Sequence, residues 1–494
     1  MTRSCIILLA FSCQAMAQTL VMPGDFPDPS VTKIGDTYWA SATTSNWAPA
    51  FPLLASKDLV HWQLRGHAFP QLPSWADYYF WAPEISYENG RVFLYYAAHK
   101  RDGNLCVGIA SADTPEGPYR DHGPIICQEV GSIDAFPMRD DKGKLYLIWK
   151  EDGNSVNKPT PIWAAEMNED RTQLIGEKTE LFRNTAAWEG NLVEGVSMIR
   201  HNGYYYAFYA GAGCCGRGCS YGLGVARAAN LLGPWEKYRG NPLLATTDTW
   251  KCPGHGTPVE MNGKYYLLFH AYHPEGDVYA GRQGVLAEFR FTGDGWIEFV
   301  EKPEDLVNGA PIAIVDDNFS ADTLSLEWQW PVFSPAKAEL DNGALILHAQ
   351  PGNAGAILAR KTYTADYEAG TSIFTLHSTA ESGIALIGDD QNIVGASVGN
   401  SLVRVWKLEA GKLTIIAEKA IKPAASVQLK VRFKGPKDVT FLCSTDNKKY
   451  FTVNSTPVDA FFLPPWDRAV RVGLISKGEP GQHATFDRFF LRDK

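Results

Sequence analysis

The feature that most constrains this chain is a glycine that recurs just before a short aromatic strand. Gly35 precedes Thr37-Tyr38-Trp39-Ala40, Gly90 precedes Val92-Phe93-Leu94-Tyr95-Tyr96, and Gly143 precedes Leu145-Tyr146-Leu147-Ile148-Trp149. Gly203 precedes Tyr204-Tyr205-Tyr206-Ala207-Phe208, and Gly263 precedes Tyr265-Tyr266-Leu267-Leu268-Phe269. Successive glycines are 55, 53, 60 and 60 residues apart. Aromatic residues suit a pleated, half-buried surface, and a turn residue before each run implies a hairpin. No long segment places apolar residues at helical spacing. A second element recurs as well: Ser56-Lys57-Asp58-Leu59-Val60-His61-Trp62 ends the first unit, and Arg227-Ala228-Ala229-Asn230-Leu231-Leu232-Gly233-Pro234-Trp235 ends the fourth. A repeat of this length holding several strands implies a propeller. The expected fold is all-β, with a five-bladed β-propeller over residues 18–310. A β-sandwich with coincidental spacing is the competing architecture.

The repeat also orders the acidic residues. Upstream of the turn glycines lie Asp28, Glu84, Asp134, Glu194 and, in the fifth unit, His255. The first strand of a propeller blade lines the central axis, so four carboxylates and one imidazole should converge there. Acidic residues are seldom buried unless they are paired or functional. A ring of them at the mouth of a funnel is better explained by catalysis than by structure. Glycoside hydrolysis needs a protonated acid near the leaving oxygen and an ionised partner, roughly 6.5–9.5 Å apart when the configuration inverts. A third carboxylate near the acid would raise its pKa by like-charge repulsion. Trp47, Phe51, Trp81 and Phe136 are the aromatics expected to stack on sugar faces beside these carboxylates, with blade packing as their competing role.

These stretches also match a family. Phe26-Pro27-Asp28-Pro29-Ser30, Trp81-Ala82-Pro83-Glu84, Ser132-Ile133-Asp134-Ala135-Phe136, Val193-Glu194-Gly195, Pro253-Gly254-His255-Gly256 and Gly281-Arg282 occur in order. Together they make the first 310 residues resemble glycoside hydrolase family 43, the five-bladed β-xylosidases, α-L-arabinofuranosidases and arabinanases. The resemblance implies Asp28 as general base, Glu194 as general acid, and Asp134 as the modulator of the acid's pKa. It implies Arg282 near Asp134 or the substrate. It places His255 at the cavity, where relatives can hold a water-ligated calcium; no cofactor is otherwise required. Glu84 is expected to be structural. Ala135 departs from the proline that many relatives carry, and the vicinal cysteines of the Gly211–Cys219 segment are unusual, implying a loop over or near the site.

Beyond Pro311 the pattern changes. Val427-Gln428-Leu429-Lys430-Val431-Arg432-Phe433-Lys434 alternates with period two, and Leu402–Leu408 and Ser372–Leu376 are similar. Turn residues at Asp389-Asp390, Gly399-Asn400, Ala410-Gly411 and Thr445-Asp446-Asn447 suggest a two-sheet β-sandwich over residues 311–494. It resembles the concanavalin-like jelly roll attached to many xylosidases of the family, which can reach across to shape the pocket. Carbohydrate binding is its competing role.

The remaining features set context. Arg3, the apolar run Cys5–Phe11 and Ala15-Met16-Ala17 read as a secretory signal peptide over residues 1–17, implying a secreted or periplasmic protein. A lipoprotein reading at Cys13 is disfavoured by its Phe11-Ser12 context. The formal charge of −9 argues against nucleic acid, and no stretch is long enough to span a membrane. Seven cysteines follow the signal, so at least one thiol should be unpaired. The expected function is an inverting exo-glycosidase acting on terminal β-D-xylosyl or α-L-arabinofuranosyl residues of plant cell-wall oligosaccharides. The alternatives are an endo-arabinanase, a β-galactosidase, and a non-catalytic glycan-binding propeller. A retaining fructosidase is disfavoured because Phe26-Pro27-Asp28-Pro29 lacks the expected Trp-x-Asn-Asp-Pro. The sequence names no protein partner.

Overall fold

A computed structural model describes residues 18–301 and 314–494. The expected signal peptide and the expected boundary at 310/311 lie outside the described residues. The chain is all-β, with one four-residue α-helix, Asp277–Ala280, among them.

Residues 18–299 form five separate antiparallel sheets, as the glycine period implies. Their first strands are Ser30–Ile34, Ala76–Glu88, Ser132–Arg139, Val193–His201 and Lys251–Met261. Each recurrent glycine sits in the hairpin that follows, with positive φ at all five. Asn89, Asn202 and Asn262, which precede three of them, are also left-handed, as a two-residue type I′ turn requires. Each first strand lies against the next, and the fifth lies against the first. The N-terminal strand Gln18–Met22 completes the fifth sheet by pairing with Arg282–Phe291. Side chains between sheets form apolar clusters, such as Phe51, Phe69, Phe80 and Tyr96 between the first and second.

The first strands are interrupted where they near the centre. Register shifts fall at Trp81/Glu84, Ile133/Phe136, Glu194/Ser197 and Gly254/Thr257. At or beside these bulges Ala82, Asp134, Gly195 and His255 take positive φ, as does Asp28 just before the first strand. A bulge bends the strand and re-aims its side chain. The left-handed backbone of Asp28, Asp134 and His255 is costly for non-glycine residues and clusters where side chains must be aimed. Glu84 lies two residues beyond its bulge's left-handed position, so it is not equivalent to Asp28 and Asp134 as the spacing suggests.

Residues 315–493 form a nine-stranded and a six-stranded sheet over a shared core. The strand Ser426–Lys434 buries Val427, Leu429, Val431 and Phe433, as its alternation implies. The strand expected over 372–376 begins at Asp366 and ends at Phe374, leaving Leu376 exposed. The two regions are joined covalently and by packing. Trp330–Pro331 pairs with Trp47–Ala48. The buried Arg471 guanidinium donates to Asp25 at 2.9 Å, and Asp25 also accepts from the main chain of Ala469 and Arg282.

Candidate active site

Asp28, Asp134 and Glu194 come from three different sheets and line one cavity of about 360 Å³. His255, Arg282 and Trp81 line it too, as expected. All three carboxylates are buried, so each must be hydrogen-bonded or neutralised.

Asp28 is held as an anion. Arg282 Nη1 donates to Oδ1 at 2.9 Å, and Thr43 donates to Oδ2 at 2.7 Å. Its main-chain N–H donates to His270 Nδ1 at 3.0 Å. Burial raises the Asp28 pKa, but its neighbours, the Arg282 guanidinium foremost, outweigh it and hold the carboxyl far below its ordinary value. Arg282 thus donates to Asp28 and lines the same cavity as Asp134. Burial lowers His270 to about 4, so it is neutral and acts as the acceptor for Asp28.

Asp134 and Glu194 behave as a pair. The N–H of Gly195 donates to Asp134 Oδ2 at 2.8 Å, which ties the two strands together. Burial first, and the neighbouring Glu194, raise Asp134 to about 6, against His255 and Lys150. Glu194 also suffers burial, yet it lies below its ordinary value because Lys150 and Tyr221 compensate. Lys150 Nζ donates to Oε2 at 2.5 Å and the Tyr221 hydroxyl donates to Oε1 at 2.8 Å. The expected like-charge effect is thus present, but it falls on Asp134 because the ammonium sits on Glu194. Interacting carboxyls titrate as one unit, and this unit retains a proton to near neutral pH.

The glycines of the motifs make room for this arrangement. A Cβ on Gly254 would meet the Tyr221 ring at 2.3 Å, so the tyrosine reaches Glu194 only past a glycine. His255 Nδ1 lies 3.5 Å from Asp28 and 3.9 Å from Asp134, between the two. Calcium takes roughly six to eight oxygen ligands. His255 offers nitrogen, Asp28 is already held by Arg282, and the described residues contain no group of three or more acidic, His or Cys side chains set to hold a metal. These residues do not fit direct coordination of calcium, whereas the expected ion is water-ligated. Glu84 stands apart from the main cavity, in an adjoining crevice of about 10 Å³ with Thr257.

Three of the four expected aromatic contacts are not in the cavity lining. Phe51 is enclosed by Phe69, Phe80 and Tyr96. Phe136 packs between the third and fourth sheets. Trp47 packs among residues of the C-terminal region, including Ile357 and Trp406. Of the three only Phe136 is close in sequence to a carboxylate, and it too turns into the packing. Trp81 does line the cavity, stacked on Tyr79 at 4.2 Å between ring centroids.

Other lining residues had no signal in the motifs. Lys150 ends the apolar run of its strand, and that lone cation was the available clue. Trp466 and Asp467 come from the C-terminal region. The Trp466 ring lies edge-on to Trp81 at 5.7 Å. Cys214 and Cys215, whose loop was expected over or near the site, are in the lining too, joined to each other; Cys219–Cys252 and Cys106–Cys127 are the other disulfides among the described residues, and Cys443 is free and buried.

Comparison with known proteins agrees with this geometry. The profile described as Glycosyl hydrolases family 43 matches residues 18–297, and the Beta xylosidase C-terminal Concanavalin A-like domain matches residues 316–490. A xylosidase/arabinosidase of Butyrivibrio fibrisolvens is 29% identical over 301 residues, covering 57% of this chain and 56% of its own. An extracellular exo-α-(1→5)-L-arabinofuranosidase of Cellvibrio japonicus is 27% identical, covering 57% of this chain and 88% of its own. The match thus spans little more than half of the first of these relatives. The crystal structure of the family-43 protein BlXynB from Bacillus licheniformis superposes with a TM-score of 0.79 over 97% of this chain and 100% of its own, at 24% identity, a likeness of fold. The profile covers more than half of the chain, in order and including all three carboxylates, so the chain belongs to glycosyl hydrolase family 43.

Proposed function

We propose that this family-43 enzyme is an inverting exo-glycosidase that removes terminal β-D-xylosyl or α-L-arabinofuranosyl residues from cell-wall oligosaccharides outside the cytoplasm. The five sheets are read as the blades of a propeller over residues 18–310, since their first strands lie against one another in a cycle. Residues 311–494 are read as an accessory sandwich that narrows the pocket. The observation that carries the reading is one cavity lined by three carboxyls, one held by Arg282 and one by Lys150, and also by Trp466 and Asp467. A cavity walled from a second region suits a chain end better than an open cleft for an endo-acting enzyme.

Asp28 is the base. Held ionised by Arg282, it takes a proton from water as the water oxygen attacks the anomeric carbon. Glu194 delivers the proton of the Asp134–Glu194 pair to the leaving oxygen as the glycosidic bond breaks. Asp134 keeps that proton available near neutral pH and fixes Glu194 through the N–H of Gly195. Lys150 and Tyr221 orient the Glu194 carboxyl and stabilise its anion after transfer.

A panel of aryl β-xylosides, α-arabinofuranosides and β-galactosides tests the sugar. Proton NMR early in the reaction tests the stereochemistry. The expected result is one monosaccharide product with inverted configuration. Early retention of configuration, or release of mixed oligosaccharides from arabinan, would overturn the reading.

A further inference from the structure

The Cys214–Cys215 disulfide belongs to the wall of the catalytic cavity, and the proposed reaction gives it no role. Both cysteines are partly exposed, whereas Asp28, Asp134 and Glu194 are buried, at 7–8% exposed. The disulfide therefore lies toward the mouth and the carboxyls toward the floor. It is also near the other exposed part of the wall, because a Cβ on Gly216 would meet the main-chain oxygen of Trp466 at 3.3 Å.

The loop carrying it is pinned. Ser220 N–H donates to the Gly213 oxygen at 2.8 Å, closing the base of the loop. Cys219 is bonded to Cys252 in the neighbouring sheet. Gly216 N–H donates to the Tyr272 hydroxyl at 3.1 Å. Arg217 donates to the Phe461 oxygen at 2.9 Å and covers the Phe461 ring, fastening the loop to the C-terminal region. A disulfide between neighbours closes a small ring that includes the intervening peptide, so its two sulfurs present one fixed, polarizable, apolar surface. Two free thiols would present weak donors on rotatable bonds.

We propose that the Cys214–Cys215 disulfide is a specificity-determining wall for the leaving-group sugar, offering an apolar plate to the ring next to the scissile bond. The inference rests on the exo-glycosidase reading. The sugar to be released occupies the floor beside the carboxyls. The ring that departs lies nearer the mouth, beside the disulfide and Trp466. The apolar C–H face of a pyranose or furanose suits such a surface. Because the surface depends on one covalent bond, selectivity among leaving groups becomes sensitive to reduction.

The test compares two substrates of the sugar that the wild-type enzyme releases: its glycosyl fluoride, whose leaving group has no ring, and its disaccharide. In the C214S/C215S variant, kcat/KM for the disaccharide should fall about tenfold, mainly through KM, while the fluoride is hydrolysed as by wild type. Phosphine reduction and alkylation of wild-type enzyme, with the modified cysteines mapped by mass spectrometry, should shift the same ratio, so a variant that fails to fold does not end the test. Equal losses on both substrates, or no loss on either, would overturn the proposal. Wild-type enzyme inactive on every glycoside would instead remove the exo-glycosidase reading beneath it.

Discussion

Arg282 joins Asp28 to Asp467: its guanidinium donates to the Asp28 carboxylate at 2.9 Å and to the main-chain oxygen of Asp467 at 2.9 Å. The candidate base is therefore held in part by the C-terminal region. Arg282→Ala should lower kcat by about 10²–10³, the range for loss of one preorganised donor. Arg282→Lys should recover little, since an ammonium lacks the planar fork that spans both partners. Steady-state kinetics on folded variants checks this, and Arg282→Ala within about twofold of wild type would contradict it.

The pH dependence follows from the Asp134–Glu194 pair. Asp28 is ionised throughout the working range, so it sets no limb near neutrality. The pair must keep one proton, and with Asp134 raised to about 6, kcat/KM should decline as pH rises through that region. Lys150 favours the ionised forms of both carboxyls. Lys150→Met should therefore move the limb to higher pH, and Asp134→Ala should move it lower. A limb that stays in place in Lys150→Met would show that another group sets it.

Asp134 also bears on stability. An acid whose folded pKa lies above its unfolded value binds more protons when folded, so its contribution to stability falls as pH rises between 3.8 and about 6. Above that window the ionised carboxylate costs on the order of 2–3 kcal/mol. Asp134→Asn keeps an oxygen for the Gly195 N–H and removes the charge. It should melt higher than wild type at pH 7.5, lose that advantage at pH 4, and be nearly inactive. Thermal melts at the two pH values read this directly.

How legible was all this in the sequence? The five hairpin glycines announced the units, because a left-handed turn position has few residues to choose from. Asp28, Asp134 and Glu194 were legible through their spacing from the turn glycines and the family resemblance, and His255 and Arg282 through the glycines of their motifs. Glu84 misled, since counting from a turn does not register which side of a bulge a residue falls on. Lys150 and Tyr221 were hidden because their partner lies on another strand. Trp466 and Asp467 were hidden more deeply: they reach the site only through packing of the C-terminal region on the first five sheets.

The four aromatics give the sharpest division between wall and core. Trp81 lines the cavity against Tyr79 and Trp466, whereas Phe51 is wholly enclosed by three other rings. Removing a ring from a sugar-facing wall loses substrate contact; shrinking one inside a packed cluster loses burial and leaves a void. Trp81→Ala and Trp466→Ala should each raise KM about tenfold or more, with a smaller change in melting temperature. Phe51→Leu should leave KM near wild type and destabilise by about 1 kcal/mol or more. Melts and kinetics on the three variants decide it: a raised KM in Phe51→Leu without loss of stability would return Phe51 to the pocket, and an unchanged KM in Trp466→Ala would mean that the C-terminal region supports the site without touching the sugar.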